Sequence, residues 1–133
     1  MKNDRVLVAR ILLVLGGIYY LLGAVAHFFG LTVFPLYDSA LYTPYHDTVI
    51  ALVAIFLTII LWTIARDPVK NLDTYKAIII GGILAIIFSM GIILKIDFTA
   101  LHAPGKRMQT IVEMILLIIY TTLLFVFRPT KAK

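Results

Sequence analysis

Glu113 has the setting that most plainly asks for chemistry. It stands six residues beyond Arg107 in an otherwise apolar stretch, about 9 Å further along a helix at ~1.5 Å per residue. A carboxylate at that depth in hydrocarbon must be paired, protonated or turned toward a cavity. Gln109 precedes it by one helical turn, and Tyr20 and His27, on another apolar stretch, are further hydrogen-bonding groups that could reach it. His46 and Asp47 stand together before a third such stretch, and His102 lies in the last connection. Imidazoles combined with carboxylates suit Zn, Cu or Fe, and two facing imidazoles can hold a haem iron. His27, His46 and His102 are therefore the candidate metal ligands, although no H-x-x-x-H or H-E-x-x-H spacing presets a geometry. Each histidine also has an ordinary structural or interfacial reading, and Asp47 is expected to cap the helix that follows it. The identity of any cofactor stays open.

Lys106 and Arg107 open the last apolar stretch, where a basic pair opposes the helix macrodipole. Contact with a lipid phosphate, an anionic ligand or a partner's carboxylate would account for them. Other chemistries have no foothold. The chain has no cysteine, which removes disulfides and thiolate ligands. It also lacks a nucleophile elbow, a phosphate-binding glycine loop and a dinucleotide fingerprint.

The elements that must position these residues are hydrophobic spans. A chain of 133 residues that is 62% hydrophobic and 14% charged carries more apolar material than a soluble core of that size can use. The excess falls in four spans, about residues 6–29, 47–65, 75–95 and 108–127, each able to cross a ~30 Å hydrocarbon layer. Ala24-Val25-Ala26 has the form of a signal peptidase site. The apolar stretch before it exceeds the ~7–15 residues of a signal core, so the first span is expected to be retained. The expected fold is an all-α integral membrane four-helix bundle.

Charge orients it. Lys2, Arg5, Arg10, Arg66, Lys70, Lys76, Arg128, Lys131 and Lys133 would share one side, leaving Lys95, Lys106 and Arg107 on the other. The positive-inside bias makes the first side cytoplasmic, so both termini are expected inside the cell membrane and the histidines outside. The net charge of +5 is thus a topology signal and not a nucleic-acid footprint.

The first connection, residues 30–47, holds Pro35, Pro44, Tyr37, Tyr42 and Tyr45, aromatics suited to the headgroup level. Its Ser39-Ala40-Leu41-Tyr42-Thr43-Pro44 recurs as Thr99-Ala100-Leu101-His102-Ala103-Pro104, which points to two tandem helical hairpins. Span one carries Gly16, Tyr20, Gly23, His27 and Gly30 on one stripe, and span three repeats Ala77, Gly81, Ala85 and Ser89. Both are expected to be packed faces, because small residues let backbones approach. Asp47, Ala51, Ala54, Thr58 and Trp62 on span two, and Gln109, Glu113, Leu117 and Tyr120 on span four, form polar-containing faces expected to turn inward.

The segment Gly16-Gly17-Ile18-Tyr19-Tyr20-Leu21-Leu22-Gly23, with four spans and inside termini, resembles the DoxX-like small four-helix membrane proteins. The resemblance covers architecture over most of the chain and motif over this segment. It implies association with quinone-linked redox complexes. Small multidrug exporters also have four spans, but their hallmark is a glutamate in the first, which this chain lacks.

Three functions fit these residues. The first is an accessory or scaffolding subunit without turnover, held to other membrane subunits or to copies of itself and to lipid. The second is a redox protein with a metal or haem site built from His27, His46, Glu113 and either Asp47 or His102. The third is a small proton-coupled transporter working through Glu113.

Overall fold

The computed structural model describes residues 2–33 and 36–130, with side chains from residue 4 onward. Pro35, Lys131 and Lys133, counted above, lie outside the described residues. The chain forms four helices, α1 (Lys2–Phe29), α2 (Pro44–Arg66), α3 (Leu72–Lys95) and α4 (Pro104–Val126), with one 3₁₀ turn at Ser39–Leu41. All four helices are long and apolar enough to cross a membrane. The fold is an all-α, four-helix membrane architecture.

The helices begin before the apolar runs do. Pro44 and Pro104 each occupy the first turn, where a missing N–H costs nothing and a fixed φ favours the helix. Hydropathy locates the segment suited to hydrocarbon, and the helix extends past it into the polar boundary. Asp47 is consequently inside the first turn of α2 and is not its N-cap. That position belongs to Thr43, whose side chain makes no capping bond.

α1 packs along α2 and α3 along α4, so the molecule is two hairpins. In the first, Thr58 Oγ1 donates to Gly17 O (3.1 Å), Trp62 Nε1 to Val14 O (3.3 Å), and Arg10 Nε to Ala65 O (3.0 Å). In the second, the Tyr75 hydroxyl donates to Leu124 O at 2.8 Å. The hairpins meet chiefly through α1 and α4. One buried cluster, including Leu13, Leu61, Ile64, Tyr75 and Leu124, draws on all four helices. It lies at the end shared by the start of α1, the α2–α3 turn and the end of α4.

At the opposite end an aspartate braces each turn, one residue before the first copy of the repeated segment and two before the second, although the backbones differ at the matched Tyr42 (φ −60) and His102 (φ 54). Asp38 Oδ1 accepts from Ala40 N (2.9 Å), and Asp97 Oδ1 accepts from Thr99 N (3.0 Å) and Ala100 N (3.1 Å). Such side-chain turns reverse the chain, and each is followed by a proline that starts the returning helix. Gly30 ends α1 with φ +61 and lies under the Tyr42 ring, 3.1 Å from where a Cβ would stand. Only glycine meets both demands without strain.

Two expected packing stripes are corrected. On α3, Ala77 is exposed and a Cβ on Gly81 would meet nothing within 4 Å. The contact face is Leu72, Tyr75, Ile79 and Gly82, one position further round, because Tyr75 anchors to α4 and Thr121 fills the space over Gly82. On α1 the correction is partial: Gly16 packs against Tyr120 and Gly30 under Tyr42, but Gly23, on the same stripe, borders open space, and Gly17, off it, receives the Trp62 indole.

Candidate ligand site between the hairpins

Gly16, Tyr20, Gly23 and His27 of the α1 stripe line a half-open cavity of ≈ 780 Å³. Its wall runs along α1 from Leu15 to His27, about 18 Å at ~1.5 Å per residue. Val53, Ala54 and Leu57 of α2 and Leu116, Leu117, Ile119 and Leu123 of α4 supply much of the apolar remainder. Sixty residues apart, Val53 and Glu113, and Leu57 and Leu117, occupy matching places in the two hairpins and line this same space. Leu22, Leu116 and Ile119 are exposed along the opening, so in a bilayer the cavity would communicate with hydrocarbon.

The end of the cavity near residues 30–43 is polar, and Asp47 organises it. Its Oδ1 accepts from the Tyr37 hydroxyl (2.6 Å) and contacts His27 Nδ1 (2.7 Å), while Oδ2 accepts from Thr43 N (2.7 Å). Tyr37 and Asp47 are 3% and 6% exposed, so the bond between them is out of water, while those from His27 and Thr43 are part-buried; each is strengthened by the charge of its acceptor. With both carboxylate oxygens already accepting, the imidazole is the donor at Nδ1, which leaves Nε2 as its basic nitrogen. The Tyr37 and His27 rings lie 4.2 Å apart. Burial first, and then the bond to Asp47, pushes the Tyr37 phenol well above its ordinary pKa.

A second strand of hydrogen bonds joins this end to α4. Lys106 Nζ stands 4.5 Å over the Tyr37 ring and donates to Asp38 O. Asp38 N donates to Gln109 Oε1 (2.8 Å), and this fixes the amide so that Nε2 donates to Glu113 Oε1 (3.0 Å). Glu113 lies within electrostatic reach of both Lys106 and His27.

Several polar atoms on cavity-lining residues make no hydrogen bond among the described residues: His27 Nε2, Glu113 Oε2 and the hydroxyls of Tyr19, Tyr20, Ser89 and Tyr120. The Tyr120 oxygen is fully buried against Gly16. Only the Tyr120 hydroxyl among the described residues is fully enclosed without a partner, where polar atoms are ordinarily satisfied; the others are not enclosed, so a hydrogen-bonding guest in the cavity can reach them.

Of the residues expected at a site, the fold brings together His27, Asp47, Gln109 and Glu113, with Lys106 behind them and Tyr20 on the cavity wall. It does not bring in His46, which is exposed and pairs with Thr43 Oγ1 at 3.0 Å. His102 is exposed as well, and its φ of 54 ends the turn before α4, a backbone role that histidine tolerates better than most residues. Arg107 is exposed outside the network. Among the described residues no three His, Cys, Asp or Glu side chains are placed to hold a metal ion. The three histidines therefore do not form the expected ligand set among the described residues.

Tyr37, Thr43 and Asp38 were missed. Tyr37 reads in sequence as one of several interfacial aromatics, and Thr43 and Asp38 act through backbone amides and a carbonyl, for which residue type carries no signal. No family model, curated protein or solved structure matches the chain.

Proposed function

We propose that this chain is an integral protein of the cell membrane, with cytoplasmic termini, that draws an amphiphilic molecule from the bilayer into the cavity between its hairpins. The observation that carries this reading is the cavity itself, its wall mostly apolar and one end bearing unpartnered polar atoms of His27 and Glu113. Pockets of ~300–1,000 Å³ with a few convergent polar groups are the usual form of small-molecule sites. The basic residues at the terminal end support the orientation, by which the polar end faces the outer leaflet.

Native mass spectrometry of protein released from mild detergent tests it. Wild type is expected to retain one small amphiphile, and Gly23→Trp, which fills open space in the cavity, is expected to lose it. Equal retention by both proteins, or none by either, would count against the cavity.

A second reading is favoured by α3, the least buried helix, whose Ile80, Ile83, Ile87 and Phe88 are exposed. That face would dock the chain as an accessory subunit of a larger membrane assembly, as the DoxX-like resemblance of residues 16–23 also implies. Copurification of a second membrane protein, lost in Ile83→Trp, is the expected sign.

A further inference from the structure

The hydrogen bonds already made at the polar end restrict what headgroup the cavity can take. His27 Nδ1 is committed to Asp47, so Nε2 is an acceptor in the neutral ring. Gln109 Nε2 is committed to Glu113 Oε1, so a proton on Glu113 sits on Oε2 and is offered as a donor. Both residues line the cavity and lie within electrostatic reach of each other from α1 and α4. One donor and one acceptor thus flank the same space. Moving the proton from Glu113 to His27 exchanges their roles and preserves the pairing.

We propose that the cavity selects single-chain amphiphiles with a protic headgroup, a long-chain carboxylic acid or alcohol, held between Glu113 Oε2 and His27 Nε2; this rests on the reading of the cavity as a ligand site. A hydroxyl or carboxyl group satisfies both atoms at once, because it donates and accepts. An ester has no donor for Nε2. A quaternary ammonium neither donates nor accepts, and an ionised phosphate diester has no proton to donate. The volume also favours one chain: ≈ 780 Å³ lies within the range for a single drug-sized guest, and a two-chain lipid would leave its second tail outside.

The test compares four probes of one chain length with the purified full chain in detergent micelles: palmitic acid, cetyl alcohol, methyl palmitate and cetyltrimethylammonium, each titrated and read by native mass spectrometry. The acid and the alcohol are expected to bind at least about tenfold more tightly than the ester and the ammonium, the cost of leaving a desolvated polar atom unpaired. Glu113→Leu and His27→Phe are each expected to erase that preference while leaving weaker, headgroup-blind binding. Should all four probes bind wild type equally, the headgroup assignment falls and the cavity reading stands. Should none bind, both fall. Because the comparison among probes is made on wild type, it does not depend on either variant folding.

Discussion

Asp47 ties three separate pieces of chain together: the end of α1 through His27, the connection through Tyr37, and the entry to α2 through the Thr43 amide. Hydrogen bonds to a charged group contribute about 1.5–3 kcal/mol each, and removing a shared acceptor strands its donors. Asp47→Ala is expected to lower stability by at least about 3 kcal/mol, read as a fall in the thermal midpoint in detergent; an unchanged midpoint would show that the network contributes little. Tyr37 adds a pH signature. Its folded pKa is raised above the unfolded value of about 10, so its stabilisation is complete below pH ~10 and is lost as pH rises through the folded value. The stability advantage of wild type over Tyr37→Phe should be flat from neutral pH to about 9 and shrink above 10. An advantage that grows in alkali would contradict this bond. Glu113, His27 and Asp47 stood out in the sequence because ionisable groups next to apolar runs are conspicuous. Their connection was not legible, since His27 and Asp47 are 20 residues apart, and the two residues that complete the network from the connection carry no distinctive spacing.

Helix identity and number follow from hydropathy alone, because a segment in hydrocarbon has to satisfy its own backbone. Rotation of each helix is harder to read. On α3 the neighbours Gly81 and Gly82 both belong to plausible stripes of small residues, and the choice between them depends on where Tyr75 and Thr121 lie in the folded hairpin. Their substitutions should diverge. Gly81→Ala meets nothing and is expected to be neutral or to stabilise by up to about 1 kcal/mol through helix propensity. Gly82→Ala drives a methyl into Thr121 and is expected to cost about 1–3 kcal/mol. Thermal unfolding of the pair in one detergent decides it, and matching midpoints would mean that the α3–α4 contact is misplaced. On α1 the same logic explains why the Gly16–Gly23 stripe holds a cavity: Gly17, one position round, takes the Trp62 contact with α2, which leaves Gly23 and Tyr20 facing the gap between hairpins.

Across the whole molecule, two hairpins meet at a common core near the termini, are joined again at the other end through Asp38, Lys106 and Gln109, and leave the cavity between these contacts. The two hairpins and the four spans were legible in the sequence. The cavity was not, because it is a gap between faces and has no residues of its own. Orientation is checked with single cysteines, which the native chain lacks. A membrane-impermeant maleimide should label Tyr45→Cys on intact cells, and Lys70→Cys only after permeabilisation. The reverse pattern would place the polar end in the cytoplasm. The most direct measurement of the central proposal is photo-crosslinking with a long-chain acid carrying a diazirine near its tail, followed by peptide mapping of the adducts. Adducts are expected on α1 between Leu15 and Gly23 and on α4 between Leu116 and Leu123, competed away by unlabelled palmitic acid and lost in Gly23→Trp. Adducts confined to the outward face of α3, at Ile83, Ile87 and Phe88, would contradict a guest between the hairpins.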